Sequence, residues 1–358
     1  MLKEKMNMKR FLALILAMVI VLSLAACAGN SGNQPAASGS GSETQSAAGS
    51  NTASAPQKTM KLGGIFAADT AGGIAALEFC DLVEKYTNGE IHVDYYPSEQ
   101  LGTEQEMVES VNMGALDFTF PSASVCGLFS KELLIFPLPF VVDDWDHLDR
   151  IMKGDIGDEL LSGIESSTDL KVVAANWYRE PRYLYANKPV KTLDDLKGVR
   201  IRVPENVTYV KGWGRLGASP TPMALSEVYT AIQTGALDAA ETTIGTYMTQ
   251  GTYAVAPYLM MTEHVYESNL LLTNKNLFDG LTESQQEAIM KAGEEAGVKH
   301  QEAVKSILED ELKFLQDNGV TVVDVDREDW VARMDGLADE IWDVWGNETL
   351  YGRMRALA

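Results

Sequence analysis

The chain has 358 residues, 46% hydrophobic and 22% charged, with 51 acidic against 29 basic side chains and a formal charge of −22. So acidic a surface repels nucleic acid and anionic lipid surfaces, which excludes a nucleic-acid partner and means that an anionic ligand would need a local, enclosed cation. The length suits two lobes better than one core.

Lys3, Lys5, Lys9 and Arg10 precede an uncharged apolar run, Phe11 to Ala26, that ends at Cys27. That is the order of an export signal, and the run is shorter than the roughly 20 residues of a membrane-spanning helix. Leu24, Ala25, Ala26 and Cys27 resemble the lipobox of bacterial lipoproteins, whose cysteine is diacylated. Residues 1–26 are thus expected to be a lipoprotein signal peptide, with Cys27 the lipid attachment and a location outside the cytoplasm, anchored to the cell membrane. Residues 27–58 are rich in Ala, Gly, Ser, Thr, Asn and Gln and read as a flexible tether.

The folded part opens with a short strand, Lys61 to Ala67. A helix follows from Ile74 to Tyr86, stopped by Asn88 and Gly89, and then a half-buried strand from Ile91 to Tyr96. An acidic helix from Thr103 to Met113, a strand from Leu116 to Phe120 and a near-continuous apolar stretch from Leu133 to Val142 continue this βαβ style. A second series has strands at 171–175, 199–203 and 237–241, a short helix opened by Thr192 and Asp195, and a helix at 226–234. Thr282 and Gln285 form a capping-box pattern before a helical stretch to Gly319, long enough to lie across two lobes. Gly-Ala-Leu-Asp occurs at both 114–117 and 235–238, each time between an amphipathic helix and an apolar strand, which favours duplicated α/β architecture.

Catalytic patterns are missing from the folded part: no Gly-x-Ser-x-Gly, no phosphate loop, no Cys-x-x-Cys and no His-Glu-x-x-His. No enzyme activity and no cofactor are expected. Asp143, Asp144, Asp146 and His147 read as a helix start rather than a metal site. Cys80 and Cys126 could pair in an exported protein, but Cys80 lies on an apolar helix face with Leu77 and Val83, and two buried thiols are the preferred reading.

From Lys188 to Glu241 a longer pattern runs through Asp194-Asp195-Leu196-Lys197-Gly198, Arg200-Ile201-Arg202-Val203-Pro204, Leu216-Gly217-Ala218-Ser219-Pro220, Gln233-Thr234-Gly235 and Leu237-Asp238. Tyr96-Pro97 with Gln100-Leu101-Gly102, Leu138-Pro139-Phe140 and Thr262-Glu263-His264 extend it. The chain closely resembles the extracytoplasmic solute receptors of TRAP (tripartite ATP-independent periplasmic) transporters. The resemblance implies an α/β, two-lobed periplasmic-binding-protein-like clamp with crossing inter-lobe connections and a long C-terminal helix. Lobe I would take 59–180 and 266–305; lobe II would take 181–265 and 306–358 with lobe-spanning C-terminal helices. The implied partners are a small organic carboxylate, a sugar acid or dicarboxylate, and the small and large TRAP membrane subunits; a monomer is expected. An ABC importer or sensor kinase is the alternative destination, and an exported enzyme the remaining one.

The family's carboxylate-gripping arginine falls on Arg202, with a second on Arg182. Arg200 is the rival of Arg202, since residues two apart share a strand face, but Arg202 lies nearer the carboxyl end, where α/β crevices open. Other candidate ligand contacts are Glu104, Ser122, Leu225, Glu241 and Thr242. Ser122 and Leu225 stand where sialic-acid binders have an acid and a phenylalanine, which argues against sialic acid. Trp177 and Tyr178 read equally as an aromatic wall of the pocket or as core.

Overall fold

The computed structural model describes residues 58–358; the expected signal, the lipid site Cys27 and the tether lie outside the described residues. Its strands, in chain order, are β1 (Lys58–Gly63), β2 (Ile91–Tyr96), β3 (Phe118–Thr119), β4 (Leu170–Tyr178), β5 (Arg182–Ala186), β6 (Arg200–Val203), β7 (Ser219–Pro222), β8 (Ala239–Thr243), β9 (Tyr258–Val265), β10 (Ser268–Asn274) and β11 (Thr321–Val323). The helices are α1 (Ala71–Tyr86), α2 (Glu104–Asn112), α3 (Ala123–Cys126), α4 (Trp145–Met152), α5 (Asp155–Ser167), α6 (Val207–Leu216), α7 (Val228–Gln233), α8 (Ile244–Thr249), α9 (Lys275–Asp279), α10 (Glu283–Asp317), α11 (Arg327–Arg333), α12 (Leu337–Ile341) and α13 (Leu350–Arg355).

Two sheets form, one in each lobe of the clamp, with strand orders β2-β1-β3-β10-β4 and β11-β9-β5-β8-β6-β7. The chain leaves the first sheet after Tyr178, enters the second at Arg182, and returns between Val265 and Ser268. These crossings lie side by side, since the Arg179 amide donates to the Glu267 carbonyl at 3.0 Å.

The repeated Gly-Ala-Leu-Asp acquires a physical role. Gly114 and Gly235 both turn the chain at positive φ, 74° and 73°, where a side chain would be strained. The aspartates then cap the neighbouring parallel strand: Asp117 Oδ2 accepts from the Lys61 amide at 2.8 Å, and Asp238 Oδ2 from the Arg200 amide at 3.0 Å.

Helix α10 runs 35 residues, about 50 Å at 1.5 Å per residue. Thr282 and Gln285 close its capping box. Its small buried residues Ala288, Ala292, Gly293, Ala296 and Gly297 let it lie close on the first sheet. A Cβ at Gly293 would come within 2.8 Å of Val173 Cγ1. Farther along, the helix meets α8 of the second lobe. There Glu311 approaches Glu180 of the first crossing beside Gly245, and burial together with the Glu180 charge raises its carboxyl to about 8.

The structure departs from the sequence expectations in some elements and agrees with them in others. The stretch 133–142 is buried but is no strand; it forms a 3₁₀ turn and irregular chain, because Pro137 and Pro139 cannot feed a sheet ladder. Strands β5, β9 and β10 and helix α6 carry the second lobe and its return; β5 and β10 are buried at every position, which leaves no alternation to read, whereas α6 buries one face through Tyr209, Gly212, Trp213 and Leu216. Cys80 and Cys126 are free and buried, and burial pushes the Cys80 thiol up to about 12, so it stays protonated. Asp144 caps α4 through the His147 amide at 2.7 Å, as the helix-start reading requires.

Candidate functional site

Between the two sheets lies a cleft of about 220 Å³. Its position follows from strand direction. β6 and β8 run parallel and end at the same edge, while β5 is antiparallel to β8 and begins there. Arg202, Thr242 and Arg182 are thereby brought together from positions up to 60 residues apart in sequence.

Arg182 is not a free cation. Its Nε and Nη2 donate to the two carboxylate oxygens of Glu241, both at 2.6 Å, and Glu241 is wholly buried. Leu184 stands opposite Glu241 in the ladder, so Arg182 reaches it diagonally. Burial alone would raise the Glu241 carboxyl, but the Arg182 charge and hydrogen bonds, with His264, hold it at about 2. Burial lowers the His264 pKa, keeping the imidazole neutral. Its Nε2–H then donates to Glu241 at 3.1 Å, while Nδ1 accepts from the Thr262 hydroxyl at 2.9 Å. That hydroxyl in turn accepts from the Leu184 amide, and the chain of bonds is closed.

Arg202 differs. It is only 5% exposed, and its Nε donates to the Met223 carbonyl at 2.8 Å. Among the described residues it forms no ion pair, and its two terminal amino groups make no hydrogen bond. Burial works against its charge, and the nearby Glu241, which would support it, is already spent on Arg182. A desolvated guanidinium with two unused forks facing a cavity is built for a planar anion.

A third arginine escaped the sequence reading. Arg179, on the first crossing, lines the cleft and meets Glu267 of the second crossing at 3.4 Å. Glu267 also accepts from the Ser124 amide and hydroxyl, at 3.0 and 2.5 Å. The ion pair thus ties the crossings to the lobe I wall. Nothing local marks these two residues, since they lie 88 apart in the chain.

The lobe I wall is acidic and hydroxylic. Glu104 accepts from the Ser122 amide at 2.6 Å, and Ser122 and Ser124 follow it along the wall. Ser98 and Glu99 hold left-handed backbones, φ 54° and 60°, at a turn that brings Glu99 to the cleft rim. Desolvation and the Glu104 and Glu106 charges raise the Glu99 carboxyl. Such backbone strain is commonly found where a loop serves a ligand. Leu225, Met223, Val125 and Leu128 supply the apolar surface.

Three expected contacts are elsewhere. Trp177 is wholly buried in the lobe I core against Phe79, Phe120 and His300, with its Nε1 donating to the Gly293 carbonyl at 2.8 Å; it turns inward because α10 covers that face. Tyr178 points away from the cleft, bonds Asp149 at 2.9 Å and borders an open groove of about 1020 Å³ between β4 and α10. That groove, though larger, has no buried arginine on its walls. Glu241 lies behind the cleft as the counter-ion of Arg182 and does not line it. Arg200 sits at the exposed start of β6, paired with Asp238 at 2.7 Å, rather than deeper in the strand.

The family model described as bacterial extracellular solute-binding protein, family 7 (DctP), matches residues 62–343. The chain belongs to this family. It is a TRAP-transporter solute receptor. Among similar proteins, the sialic acid-binding periplasmic protein SiaP of Vibrio cholerae is 31% identical over 79% of this chain and 88% of its own. The 2,3-diketo-L-gulonate-binding periplasmic protein YiaO of Escherichia coli is also 31% identical, over 78% and 84%. A TRAP periplasmic solute-binding protein of Xanthobacter autotrophicus, solved with bound β-D-galacturonate, superposes with a TM-score of 0.76 at 28% identity, covering 83% of this chain and 99% of that one. One from Roseobacter denitrificans with bound L-galactonate gives 0.77 at 28%, covering 85% and 99%. The two sheets and their crossings in this receptor are therefore the family's two-lobed clamp.

Proposed function

We propose that this receptor captures a compact, hydroxylated monocarboxylate, a sugar acid, and delivers it to TRAP membrane subunits. The observation that carries the reading is Arg202, buried, unpaired and open to the cleft. Its fork would take the carboxylate, with Arg182 held beside it by Glu241. The opposite wall argues for hydroxyls at the other end of the ligand. Glu104, Glu99 and Ser122 offer acceptors and a hydroxyl there, and a second ligand carboxylate would face Glu104 and Glu99 at a cost in repulsion and desolvation. The cleft is smaller than the roughly 300–1,000 Å³ of drug-sized pockets, which favours a compact acid. The galacturonate and galactonate in the two similar structures are of this class.

Thermal stabilisation by a panel of uronates, aldonates, C4-dicarboxylates and sialic acid tests the reading. A sugar acid at a hundred times its Kd adds about 2.7 kcal/mol of stability. The best stabilisers should be uronates or aldonates; a dicarboxylate such as succinate outranking all of them would overturn the assignment, and turnover of the ligand would favour an enzyme.

The receptor is further proposed to be held at the membrane by a lipid on Cys27, on the strength of the Leu24-Ala25-Ala26-Cys27 pattern. Cys27→Ala should then move the protein from the membrane to the soluble fraction. Unchanged sedimentation with membranes would refute the anchor.

A further inference from the structure

Tyr209 lies near the start of α6, its side chain wholly buried and its phenol oxygen without a hydrogen-bond partner among the described residues. It lines the cleft, and the Arg182 guanidinium sits 5.3 Å from its ring centroid. The phenol is also within electrostatic reach of both Arg182 and Arg202. Ser124 on the opposite wall is a polar neighbour and, while its hydroxyl donates to Glu267 at 2.5 Å, its oxygen could still accept, but it makes no hydrogen bond with the phenol. The helix start that carries it is anchored on both sides of the residue before it. Asn206 caps α6 through the Thr208 amide at 2.9 Å, and the Thr208 hydroxyl donates to the Leu134 carbonyl of the other lobe at 2.7 Å.

A fixed, buried hydroxyl that the protein leaves without a partner is set for a group the protein does not supply. The arginines beside it can only donate hydrogen bonds, whereas a phenol both donates and accepts. The carboxylate that Arg202 would grip has one carbon attached to it, and the phenol lines the same cleft within electrostatic reach of that arginine, so a substituent on this carbon would be a partner within its range. We propose that Tyr209 is a specificity-determining residue, its hydroxyl pairing with the oxygen on the carbon next to the ligand carboxylate, a hydroxyl in aldonates and the ring oxygen in cyclic uronates, so that the cleft selects acids oxygenated at that carbon. This rests on the sugar-acid reading and on Arg202 as the carboxylate grip.

Calorimetry with D-gluconate and 2-deoxy-D-gluconate, and with the corresponding galactonate pair, tests it on the parent and on Tyr209→Phe. The parent should bind each 2-hydroxy acid roughly tenfold more tightly than its 2-deoxy partner, as expected for one buried hydrogen bond. Tyr209→Phe should lose that factor for the 2-hydroxy acids, keep the parental affinity for the 2-deoxy acids, and melt without ligand at the parental temperature, since the lost hydroxyl bonded nothing. Unchanged discrimination in Tyr209→Phe, or a marked drop in its ligand-free melting temperature, would overturn the proposal while leaving the Arg202 grip standing. Failure of the parent to bind any uronate or aldonate would instead remove the sugar-acid reading, and this proposal with it.

Discussion

Arg202→Ala should weaken binding of the best carboxylate ligand by roughly a hundredfold to several thousandfold, corresponding to the 3–5 kcal/mol typical of a buried charge stripped of its partner. The ligand carboxylate would enter an enclosed cleft whose other arginines are already engaged, Arg182 by Glu241 and Arg179 by Glu267. Arg202→Lys should recover little, because an ammonium keeps the charge but not the planar fork. The same substitution should leave ligand-free stability unchanged or raise it. Arg202 has one hydrogen bond, to the Met223 carbonyl, and is buried without a counter-ion, so the empty receptor gains little from it. Arg200→Ala is the matched control two residues away, with its exposed pair to Asp238, and should bind as the parent does. Calorimetry on the three folded variants decides the matter. Parental affinity in Arg202→Ala would remove the carboxylate grip from this residue, and a large loss confined to Arg200→Ala would transfer it.

Glu241→Ala should give the opposite pattern, a large loss of stability before any question of binding. It leaves Arg182 buried with no counter-ion and His264 Nε2 with no acceptor, where the parent has two 2.6 Å hydrogen bonds and one of 3.1 Å. Breaking such a pair from one side costs about 3–5 kcal/mol, a melting-temperature drop on the order of 10 °C. A pH dependence follows from the same pair. The Glu241 carboxyl lies at about 2 in the folded protein against an ordinary 4.5. Because the folded value is depressed, the stabilisation is complete above about 4.5 and is lost as pH falls from there through about 2. Glu241→Gln, which keeps the shape but not the charge, should therefore be less stable than the parent at pH 7, and the gap should narrow steadily on acidification below 4.5. Melting curves of the two proteins that stay parallel from pH 7 to pH 3 would show that the ion pair contributes nothing.

The two substitutions together separate the roles that three neighbouring arginines play. Arg182 and Arg179 are structural cations whose charges are met inside the protein, and they give the cleft its rigid floor. Arg202 is left unmatched at a cost in stability, and that cost is recovered only when a ligand arrives. The Tyr209 hydroxyl adds to the same deficit, since it is cut off from water in the empty cleft.

Much of this receptor is written locally in its sequence. The capping boxes at Thr103, Thr192 and Thr282, the paired Gly-Ala-Leu-Asp turns and the apolar spacing of α1 and α10 each depend on residues within a turn or two of one another. The long motif from Lys188 to Glu241 carries both the family resemblance and the position of Arg202. Tertiary structure alone decided which polar groups are matched. Whether Arg182 is a free ligand contact or half of an ion pair depends on Glu241, 59 residues away; whether Trp177 lines a pocket or the core depends on Gly293, 116 residues away. The Arg179–Glu267 tie and the partnerless Tyr209 hydroxyl are of the same kind. Periodicity and capping are set by neighbours along the chain, whereas charge compensation and desolvation are set by neighbours in space, and those exist only after the two sheets have closed over the cleft.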